Sequence, residues 1–164
     1  MTDDTTDNTQ RQVDADIVAE LAAEGFEDAC IAGRGGFGIV YRCRQPSLDR
    51  VVAVKVLSPD PDHMDRARFL REQQAMGRLS GHPNIVHVLQ AGITYTGRPY
   101  IVMPFHRRDS LDSWITNHGA LTAAEALAVG VKLAGALETA QRAGVLHRDI
   151  KPRNILLTEY GEPN

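Results

Sequence analysis

Residues 145–157 read Val145-Leu146-His147-Arg148-Asp149-Ile150-Lys151-Pro152-Arg153-Asn154-Ile155-Leu156-Leu157, and the fold of the chain turns on this stretch. An aspartate, a lysine two residues later and an asparagine five residues later stand on a short polar loop between apolar flanks. In residue type and spacing this has the makeup of a catalytic loop. Its meaning depends on what precedes it.

Immediately upstream, Thr122-Ala123-Ala124-Glu125 forms a capping box that opens a long helix through about Ala143. Leu127, Val131, Ala134 and Leu137 are its expected buried stripe. At 1.5 Å per residue it is a scaffold roughly 30 Å long that delivers the chain through Gly144 to the loop. Ser110 is expected to cap a shorter helix, with Leu111 and Ile115 on one face and Gly119 at its end. The change to Pro104-Phe105-His106-Arg107-Arg108 reads as a lobe boundary. Before it, residues 85–89 and 99–103 read as two strands joined through Thr96-Gly97, after a turn at Gly81-His82-Pro83-Asn84. His82 and His87 have no further metal-type ligands around them in the sequence and read as structural.

Further upstream, Gly33, Gly35 and Gly38 fit G-x-G-x-x-G, a pattern with several owners. A dinucleotide-binding turn needs a helix directly after the glycines, and a β-branched run follows instead. A P-loop needs Gly-Lys-Ser/Thr, which is absent. A glycine-rich hairpin remains, in which the backbone can pass close to phosphates and offer N–H donors, with Phe37 at its tip capping the site against water. A turn with no ligand fits these glycines equally well when they are read alone. They are followed by two β-favouring runs, Val40 to Arg44 and Arg50 to Leu57, separated by a turn at Pro46-Ser47-Leu48-Asp49, so three strands in a meander are expected. The last run carries Val52-Ala53-Val54-Lys55, with Lys55 seventeen residues after Gly38. A helical pattern over residues 62–79, with Phe69, Leu70, Met76 and Leu79 apolar, places Glu72 as the best candidate partner for Lys55. The bland alternative for Glu72 is one more exposed acid.

At the N-terminus, residues 1–12 are polar and acidic, cannot offset their ordering entropy by burial, and are expected to be disordered. A short helix over 13–25 is expected to start at Asp14 as N-cap, bury Ile17, Val18 and Leu21, and end at Gly25. Residues 1–30 hold nine acidic side chains against Arg11, a balance of −8, so the remainder carries +5 of the overall −3. A mildly basic body suits a polyanion such as a nucleotide but equally a solvated surface. With 164 residues, 43% hydrophobic and 24% charged, the composition is that of a soluble globular domain. No run of about 18 apolar residues and no secretory leader is present, which reads as cytoplasmic. Cys30 and Cys43 lack metal or disulfide spacing and are expected to be buried reduced thiols.

Taken together in this order, the glycine loop, Val-Ala-Val-Lys, Glu72 and His-Arg-Asp…Asn resemble the Ser/Thr protein kinases of bacterial, eukaryotic-like type, from about Phe26 to the last residue. The wording of GRGGFGIVYRCRQPSLDRVVAVKVL, FLREQQAMGRLSGHPNIV and NILLTEYGEP is especially similar to an actinobacterial soluble kinase fused to an ATPase and LuxR-type regulator. The resemblance implies an α+β, protein-kinase-like fold. Its parts would be a five-stranded antiparallel N-lobe with one helix and a hinge over 26–106, and the first helices and catalytic loop of an incomplete helical C-lobe over 107–164.

It also implies ATP and Mg²⁺ as cofactors, with a protein Ser/Thr hydroxyl as acceptor and no direct nucleic-acid contact by this part. Gly33, Gly35 and Gly38 would cover the ATP phosphates, Val40 and Ala53 would meet adenine, and Lys55, oriented by Glu72, would hold the α- and β-phosphates. Met103 would be the gatekeeper, followed by the carbonyl of Pro104 and the N–H of His106 on adenine. Pro104 departs from the usual acidic residue, but only its carbonyl is asked for. Asp149 would accept the hydroxyl proton, Lys151 neutralise the γ-phosphate, Asn154 ligate a magnesium ion and Leu156 close the adenine pocket. Arg148 resembles the arginine that meets a phosphorylated activation loop, and His147 reads as a packing residue. No Asp-Phe-Gly occurs in the 164 residues, so the expectation is a kinase domain truncated before that motif and inactive by itself. The rival expectation is a non-catalytic nucleotide-binding or partner-binding remnant.

Overall fold

The computed structural model describes residues 4–35, 38–57, 77, 79, 81–107, 110–158 and 161–164, with side chains from residue 12 onward. They belong to two compact units, one within Met1–Met64 and Leu89–Phe105, the other within Asp65–Val88 and His106–Asn164. The helix expected over 62–79, with Glu72, lies outside the described residues, as does Phe37.

The first unit is a helix, α1 (Asp4–Ala23), and five antiparallel strands: β1 (Glu27–Gly35), β2 (Gly38–Gln45), β3 (Arg50–Leu57), β4 (Gln90–Ile93) and β5 (Pro99–Pro104). Their order is β1-β2-β3-β5-β4, which puts the apolar run of β3 at the centre. Side chains alternate across a pleated sheet, so the register sorts them by face. Tyr41, Val54 and Val102 are directly opposite one another in neighbouring strands, as are Cys43 and Val52. With Val56 and Tyr100 they form a buried back face, covered by Ile17 and Leu21 of α1 and by Phe26. Phe26 meets Tyr100 edge-on, with ring centroids 5.8 Å apart.

The N-terminal helix starts at Asp4, so it takes in most of the stretch expected to be disordered, and Asp14 is interior rather than an N-cap. Once Ile17, Glu20 and Leu21 are fixed by packing, the nucleation cost is met and each added turn costs little. Its end is as the sequence predicts. Gly25, at φ +87, lets the Gly25 and Phe26 amides bond back to the Ala22 and Leu21 carbonyls at 3.0 and 2.9 Å.

β4 lies at Gln90–Ile93 and not at 85–89. Gly92 decides this register. It pairs with Tyr100, and a Cβ there would fall 2.4 Å from the Tyr100 hydroxyl, so only glycine admits the ring. The ring in turn carries that hydroxyl to Glu24, the residue after α1, at 2.9 Å. Beside it, Glu20 is buried and accepts hydrogen bonds from Thr94 Oγ1 at 2.7 Å and Arg98 Nε at 3.1 Å. Cys43 is buried and its thiol is pushed up to about 12 by that burial. Cys30 is exposed, against expectation, because β1 is an edge strand with that side uncovered.

The second unit contains α2 (Leu111–His118) and α3 (Ala123–Arg142). Both caps are as the sequence predicts: Ser110 accepts from the Ser113 amide, and Thr122 and Glu125 form the reciprocal capping box. The stripe of α3 is not. Leu127 and Val131 are exposed, whereas Val129 and Leu133 pack with Leu111, Ile155 and Leu157, and Ala136 and Ala140 are buried. α3 is apolar on more than one side, and periodicity alone does not choose between two stripes. Residues 81–88 belong to this unit and not to the 26–106 block, since Asn84 Nδ2 donates to the Pro163 carbonyl at 2.7 Å. Among the described residues no helix is long and apolar enough to cross a membrane.

Leu21 is completely buried, whereas Val18, on the same helix, is 36% exposed. Leu21→Ala is expected to lower the free energy of unfolding by about 2–5 kcal/mol, and Val18→Ala by less than about 1 kcal/mol, in urea denaturation.

Candidate active-site residues

The face of the sheet opposite α1 carries the first group. Val40, Lys55 and Ile101 stand side by side across β2, β3 and β5, and Ala53 and Met103 form the next cross-strand pair on that face. Val40, Ala53, Lys55 and Met103, all singled out in the sequence, therefore share one surface. Lys55 sits on the central strand, and burial holds its ammonium pKa below the usual lysine range. Pro104 ends β5 opposite Val52, and Phe105, the next residue, lies under the Arg42 guanidinium.

The β1–β2 hairpin borders this surface, with Gly33 paired to Val40 and Gly35 to Gly38. The three glycines do different things. Gly38, at φ +138, lies against β3 so closely that a Cβ would sit 2.1 Å from the Val56 carbonyl oxygen. A Cβ on Gly33 or Gly35 would meet nothing within 4 Å. Gly38 is thus required by the fold, while Gly33 and Gly35 leave open space beside bare backbone, which suits a phosphate chain.

The second group lies on the loop after α3. That helix ends with Gly144 at φ +78, the amides of Gly144 and Val145 bonding back to Gln141 and Ala140 at 3.0 and 2.9 Å. The chain then turns at Arg148, whose φ is +61, and the Asp149 amide donates to His147 Nδ1 at 3.4 Å. His147, expected to pack, is exposed and braces the loop backbone instead. A single helical turn at Pro152–Asn154 brings Asn154 back onto Asp149. Asn154 Nδ2 donates to the Asp149 carbonyl at 2.9 Å and to its Oδ2 at 3.0 Å. Lys151 Nζ is 2.8 Å from the same Oδ2. Asp149, Lys151 and Asn154 are one hydrogen-bonded cluster.

The hydrogen bond from Lys151, then that from Asn154, holds the Asp149 carboxyl below the usual carboxylate range. A carboxylate kept ionised can accept a proton from a hydroxyl, and the ammonium beside it can hold a polyanion nearby. Both Asn154 donor contacts use its nitrogen, which leaves its amide oxygen available to a hard cation. With few protein oxygens on offer, that donor set fits Mg²⁺, which keeps most of its shell for water and phosphate.

Downstream, the Leu111 amide bonds to the Ile155 carbonyl at 2.8 Å, and Leu156 pairs with Asn164 in both directions at 3.0 and 2.8 Å. Ile155 and Leu157 are buried while Leu156, between them, is only half-buried, as a two-residue alternation requires. His106 is the first residue of this unit's second segment.

The chain belongs to the protein kinase domain family, which matches residues 26–163. It is 61% identical over 163 residues to the serine/threonine-protein kinase PknK of Mycobacterium tuberculosis H37Rv, a match that covers 99% of this chain. It is 39% identical over 147 residues to the probable serine/threonine-protein kinase PknB of Lactococcus lactis, covering 88% of this chain. The chain spans 15% and 23% of the lengths of these two relatives. The crystal structure of the Mycobacterium tuberculosis PknI kinase domain superposes with a TM-score of 0.68 at 32% identity, over 84% of this chain and 58% of that one.

Because Lys151 is the first cause of the depressed Asp149 pKa, Lys151→Met is expected to move the Asp149 titration upward, toward the ordinary aspartate value. Asn154→Ala should move it the same way by less. A ¹³C-carboxyl NMR titration reads both, and an unmoved midpoint in Lys151→Met would refute the assignment.

Proposed function

We propose that this chain supplies the ATP-binding and proton-accepting residues of a protein serine/threonine kinase, transferring the γ-phosphoryl group of ATP to a protein hydroxyl. The observation that carries the proposal is the Asp149 carboxylate held by Lys151 and Asn154 at 2.8 and 3.0 Å. It is supported by the desolvated Lys55 beside Val40 and by the open backbone at Gly33 and Gly35.

In this reading the amides of the glycine hairpin and Lys55 hold the ATP phosphates, and Glu72 orients Lys55. Phe37, at the hairpin tip, excludes water. Val40, Ala53, Met103 and Leu156 meet adenine by apolar contact, and the Pro104 carbonyl and His106 amide recognise its polar edge. Asp149 orients the acceptor hydroxyl and takes its proton as the phosphoryl group departs. Lys151 exchanges its Asp149 contact for the γ-phosphate. The Asn154 amide oxygen would hold magnesium in part, and the ion when bound would supply charge neutralisation at the phosphates. Little covalent help is required from the protein, so positioned cations and a positioned hydroxyl make up most of the mechanism. The same reading puts the activity in the cytoplasm, where ATP is supplied.

Two measurements test this reading. MgATP is expected to raise the melting temperature of residues 1–164, and Lys55→Met to abolish the shift. In a longer protein that carries this chain and an Asp-Phe-Gly segment, Asp149→Asn is expected to lower kcat about 100-fold or more while leaving the KM for ATP within about threefold. Nucleotide binding without phosphotransfer in that longer protein would favour a non-catalytic binding module instead.

A further inference from the structure

α1 lies wholly outside the residues that match the kinase family, yet it is tied to the sheet at two points. At its C-terminal end, the buried Glu20 is held by Thr94 and Arg98 and Glu24 by Tyr100, while Ile17 and Leu21 fill the back face. Near the middle of the helix, Asp14 Oδ2 accepts from Arg34 Nη2 at 2.5 Å. Arg34 stands between Gly33 and Gly35, the two glycines with open space around them. The hairpin is otherwise weakly specified, since its pairing shifts register between Glu27 and Cys30 and again between Ile31 and Gly33. It therefore carries in Arg34 a long side chain clamped to a packed helix.

The surroundings strengthen this ion pair. The Asp14 side chain is 19% exposed and the Arg34 side chain 42%, so the pair is partly shielded from water. Asp14 Oδ1 is buried with no partner among the described residues, as is the Tyr41 hydroxyl. Burial, with the Asp14 charge as the next cause, pushes Tyr41 up to about 12. Among the described residues, Arg34 is the guanidinium that pairs with this carboxylate.

We propose that α1 is a brace for the glycine-rich hairpin, and that Asp14 is a positioning residue for nucleotide binding that acts through Arg34. The brace holds the backbone at Gly33 and Gly35 in place before the phosphates arrive, so less ordering is left for binding to drive. The nucleotide role rests on the kinase reading above.

The test uses residues 1–164 with Asp14→Asn, Arg34→Gln, the double variant and Asp14→Glu, and Lys55→Met as the control for the kinase reading. Amide hydrogen exchange over residues 31–40 reads the brace, and calorimetric titration with MgATP reads the nucleotide role. Each single substitution is expected to speed exchange at Gly33 and Gly35 severalfold and to weaken MgATP about two- to fivefold, the range of one shielded ion pair. The double variant should be no worse than either single, and Asp14→Glu should recover most of both effects. Unchanged exchange, or additive losses in the double variant, would overturn the brace. Tighter MgATP binding by Asp14→Asn would overturn the positioning role, because Arg34 would then serve the phosphates best when released. No MgATP binding by the unaltered chain, or equal binding by Lys55→Met, would sink the kinase reading, and the exchange data would still decide the brace.

Discussion

The first unit depends on burial of the sheet's back face beneath α1. Tyr41, Val52, Val54, Tyr100 and Val102 are almost completely removed from water, together with Leu21 and Phe26 from the covering segment. Each such side chain contributes about 1.5–3 kcal/mol relative to exposure, which outweighs any single polar contact in this unit. The buried Glu20 and the Tyr100–Glu24 bond add direction more than energy, because they fit only one seating of the helix.

That burial leaves the opposite face of the sheet for chemistry. A pleated strand sends alternate residues to opposite sides, so packing Val52, Val54 and Val56 against α1 forces Ala53 and Lys55 to the other side. The lysine is consequently held on the central strand between Val40 and Ile101, where it is desolvated and its pKa lowered. A one-residue slip of β3 would send Lys55 into the core and Val54 to the site. Gly38 locks against that slip, since its close approach to Val56 and Leu57 admits no side chain.

In the second unit the residues of the loop at 145–157 are fixed by short-range means. The helix stop at Gly144, the positive φ of Arg148 and the single turn at Pro152–Asn154 fold the loop so that Asp149 and Asn154 meet. Ile155 and Leu157 anchor the exit of the loop beside Leu111. The loop therefore holds its geometry although Asp149 and Lys151 are each about half exposed.

By itself the sequence determined what is decided within a few residues. The Ser110 and Thr122 caps, the Gly25 and Gly144 stops and the turn at 46–49 all depend on local dihedrals and short spacings, and residue type reports those directly. The central strand was also legible, because a β-branched run ending in lysine has few other uses. Tertiary structure alone decided the start of α1, the position of β4 at 90–93, the side of α3 that is covered, and the pairing of Asp14 with Arg34. Most of those outcomes rest on contacts between residues far apart in the chain, such as Asp14 with Arg34, 20 positions apart, and Glu20 with Arg98, 78 apart. An acid on a helix and an arginine between two glycines carry no mark of each other until burial of the back face brings them together.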